Sequence, residues 1–149
     1  MKLTGLEIFD FTIQRTNSWL KDLMQELNWT DRRKTYLALR SALHALRDHM
    51  PVNEAVFLGE QLPMLLRGLY FEHWNPGEQP ETENTRADFL STLSTYLARD
   101  GESTEGAEVL MRAVFRFLER KASDGEIEDV RTVIPRMLDD LWPRDLRAA

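Results

Sequence analysis

The chain has no cysteine, and of its 149 residues only seven are glycine and six are proline. The absence of cysteine excludes a disulfide framework, a thiolate zinc site and a cysteine nucleophile, and it suits the reducing cytoplasm, where we expect the protein to reside. A run of about 18 consecutive apolar residues is also missing, so we expect neither a membrane span nor an export signal. The remaining composition, 42% hydrophobic and 30% charged, is that of an ordinary globular protein. At this length we expect a single domain over residues 1–149.

Positive charge is scarce in the middle of the chain. Residues 51–108 carry three Lys or Arg against eleven Asp or Glu, whereas residues 1–50 carry eight against six and residues 109–149 carry eight against eight. Because proteins bind nucleic acids mainly by neutralising phosphates with Lys and Arg, the acidic middle argues against a nucleic-acid partner. A basic cluster at 32–34, which has aromatic neighbours, is too small to reverse that expectation.

The most informative pattern that is present is an internal repeat. When the sequence is shifted by 72 positions against itself, identical residues coincide without a gap and many other pairs agree in kind. The identical pairs are Arg40/Arg112, Leu46/Leu118, Glu54/Glu126, Pro63/Pro135, Leu66/Leu138 and Leu69/Leu141. A repeat of this length indicates one supersecondary unit present twice, with each copy burying its apolar face against the other. Whether the repeated Arg and Glu bridge to the opposite copy or are ordinary surface charges stays open.

Apolar residues recur at intervals of three and four through most of the chain, which is the spacing of one face of an α-helix. This periodicity predicts three helices in each copy, with proline, glycine and capping residues between them. The first copy spans residues 17–74, the second spans residues 87–143, and an acidic linker at 75–86 joins them. The predicted fold is therefore all-α, with two pseudo-repeated three-helix units packed as one helical bundle.

Two prolines, Pro63 and Pro135, lie at matching places inside the third predicted helix of each copy, which in the second copy covers 127–141. Proline inside a helix removes one backbone hydrogen bond and collides with the carbonyl four residues earlier. The chain then either kinks or stops and restarts with proline in the first turn. We expect the last helix of each unit to be kinked or broken at its proline. A kink is the expectation in both copies, and a restart is an equal alternative in the first, where Gly59 eases a break.

The sequence contains no full pattern of catalytic or metal-binding residues. His44 and Asp48 stand one helical turn apart, as two metal ligands could, but both of their counterparts in the second copy are arginine and no zincin motif is present. Carboxylate pairs occur without any feature that fixes their separation, and a nucleophile elbow and a glycine-rich phosphate loop are missing. We therefore predict no catalytic residue, no metal site and no cofactor, and a protein that is not an enzyme.

An aromatic and acidic segment follows the apolar third helix of the first copy. Its members are Tyr70, Phe71, Glu72, His73, Trp74 and Glu78. Because neighbouring aromatic residues cannot all share one narrow helix face, some of them are expected to reach solvent or line a groove, and aromatic side chains in grooves are typical of interaction hot spots. The alternative is that they pack in the core between the two copies. We take these six residues as a candidate interaction surface.

Two stretches of the chain resemble a known family. They are TDRRKTYLALRSALHALRDHMPVNEAVFLGEQLPMLLRGLYFEHWNP (30–76) and GEIEDVRTVIPRMLDDLWP (125–143), and the most specific part is EAVFLGEQLPMLLRGLY. Over nearly its whole length the chain is similar to the bacterial family of domain of unknown function 2267. The resemblance implies a small, duplicated, all-helical domain, and it carries over no catalytic residue because the family has no established activity. The second copy departs from the pattern, reading VRTVIP where the first reads LGEQLP.

These observations favour a non-enzymatic protein-interaction or regulatory module, whose surface around residues 70–81 contacts a protein partner. The alternative is a small-molecule or metal-binding helical bundle with its site between the two copies. Both hypotheses are compatible with a monomer and with an isologous homodimer.

Overall fold

The computed structural model describes residues 3–78, 85–101 and 106–143. All regular structure in these ranges is helical, which confirms the all-α prediction. The α-helices are α1 (Glu7–Leu27), α2 (Arg32–Asp48), α3 (Val52–Glu60), α4 (Met64–Phe71), α5 (Arg86–Arg99) and α6 (Ala107–Ser123). Short 3-10 helices cover Pro76–Glu78, Arg131–Val133 and Arg136–Leu141. Half of the predicted acidic linker, residues 79–84, lies outside the described residues.

Local side chains determine where several helices begin and end. Asp31 caps α2 by accepting a hydrogen bond from the backbone N–H of Lys34 at 3.0 Å. Thr85 and Asp88 form a reciprocal capping box at the start of α5. Asn28 ends α1 in the left-handed conformation, φ 56°, which asparagine tolerates better than most residues.

The helices of the two halves pack across each other. α1 packs mainly against α6, and α5 packs mainly against α2, while α2 also contacts α1, α4 and α6. Many positions that are 72 residues apart are buried together in this core. These pairs include Leu46/Leu118, Leu58/Val130, Leu62/Ile134, Leu66/Leu138 and Tyr70/Trp142. The core therefore lies between the halves, and neither half encloses it alone.

The two prolines have different helical surroundings. α3 ends at Glu60 and Pro63 is the N-cap of α4, so the chain stops and restarts there. In the second half the predicted α-helix over 127–141 is wrong, because only two 3-10 helices flank Pro135. Ile134 is extended, with ψ 133°, as the residue before a proline usually is. A single helix through this point would need Ile134 in the α conformation that Pro135 disfavours.

The repeated arginines also differ in their partners. Arg40 reaches from α2 to Asp100 at the end of α5, at a long 3.7 Å. Arg112 instead donates to Glu108 in its own helix and to the carbonyl of Asp140, both at 2.9 Å. The first arginine thus bridges to the opposite half, whereas the second is occupied within its own half.

Among the helices of the described ranges, none has both the length and the apolar character that crossing a bilayer requires.

Candidate functional site

Tyr70, the first residue of the predicted interaction surface, is fully buried. Its hydroxyl donates to the carbonyl of Ala55 at 2.6 Å, and its ring lies against Gly59 of α3, where a side chain would leave too little room. Because α3 covers this ring, Tyr70 cannot meet a partner, and the prediction that placed it on the surface is wrong.

The other five members of the segment divide by chemistry. Phe71 and Trp74 are half-buried with ring centroids 5.6 Å apart, and both pack on the core. Glu72, His73 and Glu78 are exposed, and the Glu72 carboxylate lies 3.0 Å from His73 Nε2. The charged side chains of this segment are therefore exposed to solvent, while its aromatic side chains pack on the core.

A larger feature lies beside this segment, between the N-terminal half of α1 and α4. It is an open groove of about 760 Å³, which we call the apolar groove. Its main apolar lining comprises Phe9, Ile13, Leu20, Tyr36, Leu65 and Leu69. Glu72 is the acidic member of the lining, so the groove reaches the solvent-facing part of the predicted surface.

The apolar groove exposes an unusual amount of hydrocarbon. Leu65 is 52% exposed, Phe9 is 47% exposed and Met64 is 41% exposed, and all three line the groove. Ile8 and Phe11, at the start of α1, also face solvent but lie outside the lining. Single exposed apolar residues are normal on protein surfaces, but a contiguous patch is typical of an interaction site.

Hydrogen bonds hold both walls of the apolar groove in place. The buried Asp10 carboxylate accepts from the backbone N–H and the hydroxyl of Thr4, at 2.9 and 2.8 Å, and ties the N-terminal turn onto α1. The hydrogen bond from the Thr4 side chain is the main reason why the pKa of Asp10 lies below its usual value. The backbone N–H of Leu65 donates to Thr12 Oγ1 at 3.0 Å, which joins the start of α4 to α1. The exposed apolar groups are thus presented by an ordered frame.

Sequence reasoning missed the apolar groove, although a signal was present. Ile8, Phe9 and Phe11 place apolar side chains on more than one face at the start of α1. A helix that packs against the core on one side needs only one apolar face. The additional apolar residues at the start of α1 therefore indicated a second contact surface.

A second cavity, of about 290 Å³, lies between α2 and the C-terminal end of α5, and we call it the polar cavity. Arg40, Arg47 and Arg99 line it, together with His44, Asp100 and the exposed Glu72 and His73. Arg47 is almost completely buried and donates to the carbonyls of Tyr70 and Glu72, at 2.7 and 2.9 Å. These bonds anchor one cation in the wall of the polar cavity.

His44 is the buried titratable group of the polar cavity, with 6% of its surface exposed. Its Nε2–H donates to the carbonyl of Leu69 at 2.8 Å, which leaves Nδ1 as an acceptor in the neutral ring. Burial lowers the pKa of His44, and the charges of Arg47 and Arg40 act in the same direction. Among the described residues, no group of three His, Asp or Glu side chains is placed so that it could hold a metal ion.

Fold and geometry together define an all-helical protein with an apolar groove between α1 and α4 and a polar cavity between α2 and α5, which meet at Glu72. Its residues 16–141 match the model of the family described as "Uncharacterized conserved protein (DUF2267)", so the chain belongs to this family, in agreement with the resemblance. No curated protein matches the chain significantly. Because the match begins at residue 16, Phe9 and Ile13 of the apolar groove lie outside it.

Proposed function

We propose that this protein is a non-enzymatic interaction module, and that the apolar groove receives an amphipathic helix of a protein partner. The observation that supports this most is the exposure of Phe9, Met64 and Leu65 along one groove, on a frame that hydrogen bonds hold in place. Burial of such a patch contributes roughly 25 cal/mol per Å² of apolar surface, so a partner that covers it would bind favourably.

The shape and charge of the apolar groove favour this kind of occupant. A cleft between two helices is typical of proteins that bind the apolar face of a third helix, which presents side chains at intervals of three and four. Glu72 lies in the lining near the end of α4. We therefore expect the partner helix to carry Lys or Arg beside its apolar face, at the position that meets Glu72.

The test compares Leu65→Glu with Val109→Glu. Leu65 lines the apolar groove, whereas Val109, which is 65% exposed at the start of α6, does not. Quantitative capture from host cells should enrich one protein with the wild type and with Val109→Glu, and lose it with Leu65→Glu, because a buried charge opposes apolar docking. The captured protein, once purified, should bind in a titration with the same ranking of variants. Equal binding of all three forms contradicts the groove assignment.

Self-association is the competing outcome. Light scattering over a range of protein concentrations detects a homodimer, and Leu65→Glu would abolish it if the groove were its interface. Such a result would replace the partner helix by a second copy of this chain. Two charge reversals distinguish the groove from the rest of the predicted surface. Glu72→Lys changes the groove lining, whereas Glu78→Lys changes the exposed surface and not the groove. Only Glu72→Lys should therefore weaken partner binding.

We also infer that the two halves are copies of one three-helix unit, and that the module works in the cytoplasm. The first inference is supported by the joint burial of matched positions such as Leu58 and Val130, and by the crossed packing of α1 with α6 and α5 with α2. The second is supported by a composition free of cysteine.

A further inference from the structure

We propose that the polar cavity binds a small oxyanion that also carries an O–H group, of the class of hydrogen phosphate or a small phosphate monoester. This site shares only the border residue Glu72 with the apolar groove and does not depend on the interaction proposal. Its volume of about 290 Å³ lies near the lower end of the range that small-molecule sites usually have, roughly 300–1,000 Å³.

Two arginines of the polar cavity have hydrogen-bond donors that the described residues do not fully satisfy. Arg40 has a buried Nε–H without a hydrogen-bond partner among the described residues, and its contact with Asp100 is long at 3.7 Å. Arg99 is exposed, lies over the ring of Tyr96 at 5.7 Å, and forms no ion pair within the described ranges. A buried guanidinium N–H without a partner costs free energy, so the arrangement favours an added acceptor. Oxyanions supply acceptor oxygens in the planar geometry that arginine matches.

The cavity also needs a hydrogen-bond donor from its ligand. His44 is buried and its Nε2–H is committed to the carbonyl of Leu69, so Nδ1 offers a lone pair, and no described residue donates to it. The Asp100 carboxylate is a second acceptor and receives only a long bond, 3.4 Å, from the Ser41 hydroxyl. An anion without a proton would be repelled by the carboxylates of Asp100 and Glu72, which both line the cavity, and it would leave His44 Nδ1 without a donor. A protonated phosphate oxygen satisfies one of these acceptors while its other oxygens face the arginines.

A ligand of the polar cavity must accept hydrogen bonds from the arginines and donate one to His44 or Asp100, and this combination distinguishes phosphate from sulfate. Sulfate has the charge and shape of phosphate but no proton near neutral pH, so it can satisfy the arginines and not the acceptors. A site selected only by positive charge would take both anions equally. We therefore expect inorganic phosphate to bind and sulfate to bind at least about tenfold more weakly, since an acceptor that loses its water to the ligand and gains no new donor costs about that much in affinity.

The experiment is a calorimetric titration of the full chain with inorganic phosphate, and separately with sulfate at equal ionic strength. Nitrogen NMR of the imidazole of His44 gives a second readout, because a donor at Nδ1 shifts that resonance. Arg99→Gln is the test variant, and its exposed side chain makes misfolding no obstacle. Arg112→Gln is the matched control, because Arg112 is the counterpart of Arg40 and its donors are occupied by Glu108 and Asp140.

Saturable phosphate binding that shifts the His44 resonance, weakens about tenfold in Arg99→Gln and is unchanged in Arg112→Gln would support the site. Three results would overturn it. They are the absence of saturable phosphate binding in the millimolar range, equal affinities for phosphate and sulfate, and equal phosphate affinity in Arg99→Gln and the wild type.

Discussion

Residues 52–71 and 124–143 are 72 positions apart in the sequence and share its repeated pattern, yet they differ in backbone structure. The first segment forms two α-helices, and the second forms a turn followed by two 3-10 helices. Both segments nevertheless bury the same positions, such as Leu62 with Ile134 and Leu66 with Leu138. The comparison teaches that the core constrains where apolar side chains point, whereas more than one backbone hydrogen-bond pattern can place them there.

One residue explains part of this difference. Gly59 lets α3 approach the rings of Phe71 and Tyr70, and an added Cβ there would lie 2.5 Å from the nearest atom of the Phe71 ring. The matching position in the second half is Arg131, whose side chain is exposed. A long charged side chain could not occupy so close a contact, so the second half has no equivalent of the packed α3 and α4 pair.

The surfaces of the halves differ more than their cores. Ser41 and His44 of α2 help to line the polar cavity, while their counterparts in α6 are Ala113 and Arg116. The same helix position therefore contributes to a potential ligand site in one half and to a different surface in the other.

The largest expected effect tests whether the cores are equivalent. Leu46→Ala and Leu118→Ala should each lower the free energy of unfolding by about 2–5 kcal/mol, because each removes a buried side chain and leaves a cavity. Urea unfolding followed by circular dichroism measures both. If one variant lost most of its stability and the other almost none, the two positions would not be equivalent parts of one core.

The next effect sharpens the contrast around the prolines. Gly59→Ala should destabilise the fold by about 1–3 kcal/mol, because the new methyl group collides with the Phe71 and Tyr70 rings. Gly68→Ala, in α4, has no atom within 4 Å of the new group and should stabilise the fold by about 0.5–1 kcal/mol through helix propensity. Thermal unfolding distinguishes the signs. A stabilising Gly59→Ala would show that helix propensity outweighs the close contact.

The smallest expected effect is a pH dependence of the free energy of unfolding, and it compares the buried His44 with the exposed His73. Burial lowers the pKa of His44, so below its ordinary value of 6.5 the unfolded chain takes up this proton before the folded protein does. The stability that depends on neutral His44 is therefore present above that value and is lost as pH falls below it, by at most about 1.4 kcal/mol per pH unit. His73, which is 81% exposed, is the comparison position.

Unfolding in urea between about pH 7.5 and 5.5 measures these slopes. The stability of His44→Gln should depend less on pH than that of the wild type, and His73→Gln is measured beside it as a variant at an exposed position. An NMR titration of His44 in the wild type serves as an independent check if His44→Gln is too unstable. A folded-state titration of His44 at its ordinary pKa would contradict the prediction.

Local patterns were enough to predict much of the fold. The spacing of three and four predicted helical segments that the structure contains as α2, α5, α6 and the later part of α1, because that spacing directly reflects the helical period. The start of α1 at Glu7 was not predicted, since the first copy was expected to begin at residue 17. The same signal failed over 127–141, where residues with helical spacing form 3-10 turns instead. Periodicity reports which side chains are apolar at a given interval, and it cannot distinguish two backbones that bury the same residues.

The candidate sites were much harder to predict. Tyr70 belongs to the core because α3 lies on its ring, and no local feature of its own segment reveals that contact. The polar cavity joins Arg40 and His44 of one half to Arg99 and Asp100 of the other, which are far apart in the sequence. Composition and periodicity determined the helical class, the absence of cysteine chemistry and the positions that are buried. Only the tertiary structure decided which polar and apolar groups are left facing solvent together, because that depends on contacts between distant segments rather than on the spacing within any one of them.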